Sequence, residues 1–317
     1  MMDCSIIIPV LNQEFLTKQC LDTLLGPARG RTSAEIIVVD DGSGAATVRL
    51  LASYGAAIRV VRHEQNQGFA VSCNDGARAA QGRWLVFLNN DTVPLSGWLD
   101  ALVAYSERQP QAAIVGSKLL FPDRTIQHCG LVICADRVPR HLYVGFPADH
   151  PAVNRSRRFQ VVTGAALLIG KDRFDGLAGF DTTYVNGFED VDLCLRVQAM
   201  GHEVHYCHES ELFHLASMSE GRTNHDGRNE RLYRERWGNR VRPDDWLYYL
   251  EDGLIRVDYG AHTPLTLTVA PELGIVVDQA GNAGEAERLL ALRAEQVAIH
   301  MRENLFLKME LKRPPAA

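Results

Sequence analysis

Over residues 5–116, short apolar runs alternate with stretches of helical period. Ser5-Ile-Ile-Ile-Pro-Val10, Glu35-Ile-Ile-Val-Val-Asp40, Ile58-Arg-Val-Val61, Trp84-Leu-Val-Phe-Leu88 and Ala113-Ile-Val-Gly116 are too short for helices. They read as strands; the first is a continuous apolar run, as expected of a strand covered on both faces, and Trp84-Leu-Val-Phe-Leu88 reads as a buried one. Between the first two, Phe15, Leu16, Leu21, Leu24 and Leu25 share one helical face that ends at Gly26-Pro27. Further helices are predicted from Asp41-Gly-Ser-Gly44 through Leu50-Leu51, from Asn66-Gln-Gly-Phe-Ala70 to about Ala80, and over 98–105. Strands and helices in this alternation predict an α/β fold with a doubly wound, mainly parallel sheet.

The rhythm then changes. Residues 118–127 carry a turn signal at Pro122-Asp123 between apolar flanks and predict a hairpin. Residues 137–158 are rich in Arg, His and Pro without periodicity, which predicts a long surface loop. Residues 159–169 return to sheet, 189–200 form a short helix with Val191, Leu195 and Gln198 or Ala199 inward, and 203–206 form a strand. A first domain over 1–240 is thus followed by a small β-plus-helix appendage over 241–317. It contains strands at 254–259, 265–269 and 274–278 and a helix at 283–312. That helix either packs on its own domain or forms a short coiled coil that makes a homodimer.

Composition removes some classes. A net charge of -6 lacks the excess of Lys and Arg that general nucleic-acid binding needs. The 7 cysteines are scattered with no Cys-x-x-Cys pair, so neither a disulfide framework nor a zinc ribbon is expected, and a reducing compartment fits. Met-Met-Asp-Cys-Ser runs straight into a strand rather than a signal peptide, and no apolar stretch reaches the roughly 20 residues that span a bilayer. The expectation is a cytoplasmic chain, with peripheral attachment at the inner face of the membrane as the variant.

Candidate chemistry begins where Trp84-Leu-Val-Phe-Leu88 breaks into Asn89-Asn-Asp-Thr92. The carboxyl end of a parallel strand opens onto the crevice where α/β sheets bind ligands. Asp91 there suits a hard divalent cation that completes its shell with phosphate oxygens and water. The alternative is a turn, with Thr92-Val-Pro94 entering the next helix. No Gly-x-Gly-x-x-Gly follows the first strand, Gly42-Ser-Gly44 lacks a third glycine, and there is no Gly-Lys-Ser/Thr loop. Dehydrogenases and P-loop enzymes are therefore unsupported.

Several motifs occur in a telling order: Ser5-Ile-Ile-Ile-Pro-Val-Leu-Asn12, Val38-Val-Asp-Asp-Gly-Ser43, Asn66-Gln-Gly-Phe-Ala70, Leu88-Asn-Asn-Asp-Thr92, Thr163-Gly-Ala165, Gly179-Phe-Asp181, Phe188-Glu-Asp-Val-Asp-Leu-Cys-Leu-Arg196 and His214. In this order they resemble family-2 glycosyltransferases with the GT-A fold. Lys118-Leu-Leu and Ile126-Gln-His-Cys-Gly130 are similar to its rhamnosyltransferase-like branch. The resemblance covers roughly residues 4 to 240.

It implies a donor pocket in which Pro9, Val10, Asn12 and Glu14 lie along the base and ribose. Asp41 would accept from a pyrimidine imide, against the alternative of a turn residue bonding its own backbone. Asn66 and Gly68 would lie beside the nucleotide, against an ordinary helix cap. Asn74, Asn90, Gly164 and Ala165 would complete the pocket. Asp91 matches the last residue of the family's Asp-x-Asp metal motif, although Asn89 stands at the first position and leaves one carboxylate. His214 would be a further ligand to Mg2+ or Mn2+, against a packed histidine. The family's base matches Asp190, with Glu189 orienting sugar or acceptor. Acids in a first helical turn are stabilising in any case.

Asp192 and Arg196, four apart, read as a helix-surface pair. Arg155, Arg157 and Arg158 are either solvated loop charges or a clamp on a diphosphate or phosphorylated acceptor. Arg236-Trp237 is similar to the end of the Gln-x-x-Arg-Trp motif of processive synthases, but Tyr233 replaces the Gln. The implied activity is inverting transfer from a UDP- or dTDP-sugar to a hydroxyl on a glycan, lipid-linked or protein acceptor, in surface polysaccharide or glycoconjugate synthesis. A catalytically inactive sugar-nucleotide-binding or scaffold protein and a nucleotidyltransferase are the rival readings.

Overall fold

In the computed structural model, which describes residues 2–215, 226–258 and 266–273, the apolar runs become the centre of one sheet. The first half reads β1 (Cys4–Val10), α1 (Glu14–Leu25), β2 (Ala34–Asp41), α2 (Ala45–Ser53), β3 (Arg59–His63), α3 (Phe69–Ala79) and β4 (Trp84–Leu88). Next come β5 (Thr92–Pro94), α4 (Trp98–Arg108), β6 (Ala112–Leu120), β7 (Ile126–His128), β8 (Leu131–Ile133) and β9 (Pro139–His141). Then follow β10 (Arg157–Phe159), β11 (Ala166–Gly170), α5 (Lys171–Gly176), α6 (Glu189–Ala199), β12 (Glu203–His214) and α7 (Asp226–Trp237). The strand order is β10-β12-β6-β11-β4-β1-β2-β3, with β5 beside β12 and β7 beside β6.

Strands β3, β2, β1 and β4 are parallel; β1, β2 and β4 are covered on both faces, whereas β3 is an exposed edge. Ile6, Ile8, Val38, Val86 and Leu88 pack with Leu21 and Leu24 of α1 and Trp98 and Leu102 of α4 on one face. On the other face Phe87 meets Phe174 and Phe180 at ring-centroid separations of 4.9 and 4.8 Å. Gly76 lets α3 lie close to the sheet there, since a Cβ on it would sit 2.4 Å from Cγ2 of Ile7.

Past β4 the sheet is mixed, because β11 runs antiparallel to both β4 and β6. An antiparallel strand starts where its parallel neighbour finishes: Ala166 pairs with Leu88. Thr163-Gly-Ala165 is thereby delivered to the same edge as Asn89-Asn-Asp91. Strand β12 is parallel to β6, but its register shifts between Cys207 and Glu211, a bulge that re-aims its last residues. The strand is longer than the predicted 203–206 and ends by pairing His214 with Thr92.

Residues 137–158 differ from the predicted surface loop. They contain β9 and a single helical turn at Pro151–Val153, and they bury Leu142, Tyr143, Phe146 and Val153. Lys118, itself 1% exposed, anchors the segment through Nζ bonds to Asn154 Oδ1 (2.6 Å) and Glu211 Oε1 (2.7 Å). Each short piece buries one or two side chains, which leaves no period to read.

The chain divides into two units, residues 1–133 with 139–242, and residues 134–138 with 243–317. Described in the second are α8 (Asp245–Glu251) and an antiparallel pair, β13 (Ile255–Asp258) and β14 (Thr266–Val269). The strand expected at 274–278 and the helix at 283–312, with its dimer alternative, lie outside the described residues. No helix among the described residues is long and apolar enough to cross a membrane.

Candidate active site

Strands β1, β2 and β4 end at one edge of the sheet, and the loops that leave them build the first wall. Val10 is in register with Asp40. Just past it, Asn12 (φ 57) and Gln13 (φ 62) take left-handed backbone, which Asn tolerates well. The Asn12 amide N–H donates to Ser43 Oγ (2.8 Å), and its side-chain Oδ1 accepts from Gly44 N–H (2.9 Å). Glu14 Oε1 accepts from Thr47 Oγ1 at 3.0 Å. Asn12 and Glu14 therefore tie the first two strand-to-helix loops together, with Pro9 half-buried beneath them.

Asp41, 4% exposed, receives Gln67 N–H (2.8 Å), Gly68 N–H (2.9 Å) and His63 Nδ1 (2.7 Å). The other His63 nitrogen lies 2.9 Å from Asp75 Oδ2 of α3. Asp41 thus pulls the glycine-containing turn at the start of α3 onto the end of β2. Asn66 supports the same turn through Oδ1, which also accepts from Gly68 N–H (2.9 Å). Asp40 is tied to Ser43 N–H and Arg62, a structural role.

Asn74 and Asn90 are engaged with the scaffold. Both halves of the Asn74 amide bond the Phe180 backbone, at 2.8 and 2.9 Å, and Asn90 Nδ2 donates to Thr17 Oγ1 at 2.9 Å.

The second wall forms around Asp91. Thr92 pairs with His214 across β5 and β12, and Leu215 N–H donates to the Asp91 carbonyl at 2.9 Å. This backbone stitching sets Asp91 Oδ1 3.0 Å from His214 Nε2. A turn does stand at Asn90-Asp91, closed by Thr92 N–H on the Asn89 carbonyl (3.3 Å), but it leads into strand β5 rather than directly into the next helix. Gln127 fixes the histidine: its Oε1 accepts from His214 Nδ1, while its Nε2 donates to the His214 carbonyl at 3.2 Å, so the amide cannot flip without losing that bond. With the proton on Nδ1, the Nε2 lone pair faces the Asp91 carboxylate. Two ligands about 2.1 Å from one divalent cation at a right angle would be about 3.0 Å apart. The donor set therefore fits a cation, with the histidine held by an outer partner as ligating imidazoles are. Asn89, in the place of a first acidic residue, brings Nδ2 to 3.4 Å from His214 Nε2. Among the described residues no group of three or more His, Cys, Asp and Glu clusters for a metal, so remaining ligands would come from substrate and water.

Gly164 and Ala165 join this wall to the acidic helix. The Ala165 carbonyl accepts from Asn89 N–H (2.9 Å), and Gly164 N–H donates to Asp190 Oδ2 (2.7 Å). Val191 N–H donates to Asp190 Oδ1 at 2.8 Å. One two-residue segment thus holds the strand end that carries Asp91 and the carboxylate of Asp190. Gly164 also allows close approach, since a Cβ there would lie 3.1 Å from Cβ of Asp190. Glu189, 7% exposed, turns back to accept Gly187 N–H at 2.6 Å.

Behind Thr163 stands His128, 0% exposed, whose Nε2 is 3.4 Å from Thr163 N and whose Nδ1 is 2.9 Å from His141 Nδ1. Burial, with His141 and His214 nearby, pushes its pKa well below 6.5. In the neutral ring Nε2 accepts and Nδ1–H donates.

Asp192 corrects the expected surface pair. It is 1% exposed, bonded to Arg196 Nε (2.6 Å) and to Trp237 Nε1 (2.8 Å). The helix turns this face inward because α7 covers it, which no local spacing reveals. Arg157 lies over the Phe159 ring at 5.6 Å and Arg158 pairs with Glu203 at 3.2 Å. Gln127 and His128 were visible within Ile126-Gln-His-Cys-Gly130, yet nothing local assigned them roles.

The structure is similar to that of GalNAc-T7 with UDP, GalNAc and Mn2+, at a TM-score of 0.58 and 15% identity over 80% of this chain and 55% of that one. The fold is that of the GT-A glycosyltransferases. Residues 5–127 match the sequence profile described as Glycosyl transferase family 2. The O-antigen biosynthesis protein RfbC of Myxococcus xanthus is 31% identical over 225 residues, 68% of this chain and 17% of that protein. The uncharacterized protein y4gI of Sinorhizobium fredii (strain NBRC 101917 / NGR234) is 30% identical over 244 residues, 73% of this chain and 26% of that one. The chain belongs to glycosyl transferase family 2, and it spans about a quarter or less of the length of these two relatives.

Proposed function

We propose that the chain catalyses inverting transfer of one sugar from a nucleoside-diphosphate donor to an acceptor hydroxyl, with a divalent cation bound at Asp91 and His214. The observation that carries this is the tie from Asn89 through Ala165 and Gly164 to Asp190, which puts a cation site and a second carboxylate on one frame. The edge formed by Asn12, Asp41, Asn66 and Gly68 would take base and ribose. The GalNAc-T7 structure holds UDP and Mn2+ on this fold, which supports a nucleoside-diphosphate donor and a divalent cation; a UDP- or dTDP-sugar is the donor proposed. The O-antigen role named for the Myxococcus relative supports surface polysaccharide or glycoconjugate synthesis.

Asp190 is the base. Two backbone N–H groups hold its carboxylate oxygens at the start of α6. It takes the proton of the acceptor hydroxyl as that oxygen bonds the anomeric carbon. The bond from that carbon to the diphosphate oxygen breaks, and the diphosphate leaves with the electron pair. The cation, when bound, would offset the charge that develops on the diphosphate. One carboxylate and one imidazole, completed by phosphate oxygens and water, would take Mg2+ or Mn2+.

Transfer is measured with Mn2+ present, and again in Asp190→Asn. General base catalysis contributes about 10²–10⁴-fold, so the substitution lowers the rate by that order while nucleotide affinity stays nearly intact. An unchanged rate would remove Asp190 from the mechanism.

A further inference from the structure

We propose that Asn229 of α7 is a positioning residue for transfer, acting on Asp190 through the turn Val185–Phe188. The inference rests on Asp190 being the base argued above.

Asn229 is polar and 0% exposed. Its Oδ1 accepts from Val185 N–H (3.3 Å) and its Nδ2 donates to the Val185 carbonyl (2.8 Å), the two bonds a neighbouring strand would make. The next three residues all lie at positive φ: Asn186 at 52°, Gly187 at 149° and Phe188 at 70°. An aromatic residue in left-handed backbone is strained, and such strain persists only where the surroundings over-determine it.

Here they do. Asn229 pins the start of the turn, and the Tyr233 ring, one helical turn along α7, lies 5.3 Å from that of Phe188. Asn186 Oδ1 accepts from Phe69 N–H at 3.2 Å, where α3 begins beside the donor edge. Phe188 directly precedes α6, so its backbone sets the direction in which the helix leaves and where Asp190 meets Gly164. Released from Asn229, the turn would relax toward unstrained backbone and swing the first turn of α6 with it. A misplacement of about 1 Å at a reacting group can lower a rate about 10²-fold.

The test uses Asn229→Ala and the isosteric Asn229→Asp, which keeps the acceptor for Val185 N–H and loses the donor to its carbonyl. Each is made in the wild-type chain and in Asp190→Asn. Expected in the wild-type background is a fall in kcat of about 10–100-fold, with nucleoside-diphosphate affinity in Mn2+ within about twofold. In Asp190→Asn the same substitutions should change the rate by less than about threefold, because residues acting as a unit are non-additive. Equal fold losses in both backgrounds would make Asn229 an ordinary core residue and overturn the proposal. Hydrogen exchange over 185–188 reads the clamp whatever the activity: Asn229→Ala should speed it about 10-fold or more, and unchanged exchange overturns the proposal. Absence of transfer by the wild-type chain would count against the base assignment, while the exchange result would still decide the clamp.

Discussion

Gln127 shows how much one side chain can carry without a charge of its own. It bonds His214 at both the ring and the carbonyl, so it selects the tautomer and the ring orientation together. Outer partners of this kind typically affect metal affinity about 10–100-fold. Gln127→Ala should therefore weaken Mn2+-dependent binding of a nucleoside diphosphate by that order, measured by titration calorimetry, while metal-free binding stays as it is. Identical Mn2+-dependent affinity in the variant would reduce Gln127 to a packing role. Asp41 and His63 act in a similar way at the ends of β2 and β3, where one carboxylate gathers a turn and a histidine around it.

Whole elements are placed by close contact as well as by apolar burial. α3 sits low on the sheet because residue 76 has no side chain, and its first turn brings Gly68 to Asp41. Gly76→Ala would force a methyl against Ile7 and lift the helix. Overpacking of this kind costs about 1–3 kcal/mol. The expected outcome is a lower urea midpoint with an unchanged slope, and an unmoved midpoint would show that α3 yields without strain. Strand β12 carries a different lesson. Its bulge after Cys207 shifts register, and only then can its last residues pair with β5 and bring His214 to Asp91.

The molecule as a whole gathers histidine, glutamine and acid at one edge of its sheet, with His128 buried behind them, and the pH response should show it. His128 keeps its proton affinity depressed by burial, well below 6.5, so below that value the unfolded chain binds a proton at this ring and the folded chain does not. More protons on the unfolded state means that stability rises with pH. The contribution is fully present above 6.5 and is lost as pH falls toward the folded value. Thermal unfolding should show a drop in Tm from pH 7.5 to pH 5 that is smaller in His128→Gln. An equal drop in both would place the pH sensitivity elsewhere.

Apolar runs and helical periods, read locally, determined the alternation of β1 to β4 with α1 to α3, because burial on two faces leaves its mark on every residue of a central strand such as β1. The abrupt change from Leu88 to Asn89-Asn-Asp91 likewise marked the end of β4, since the apolar run stops where the strand does. Tertiary structure alone decided the antiparallel entry of β11, the pairing that sets Asn89 beside a histidine 125 residues away, and the grip of Gln127 on that histidine across 87 residues. It also turned Asp192 inward under Trp237 and closed Asn229 onto Val185. These contacts join segments far apart in the chain, and their partners are chosen by register, bulges and packing that no local pattern encodes.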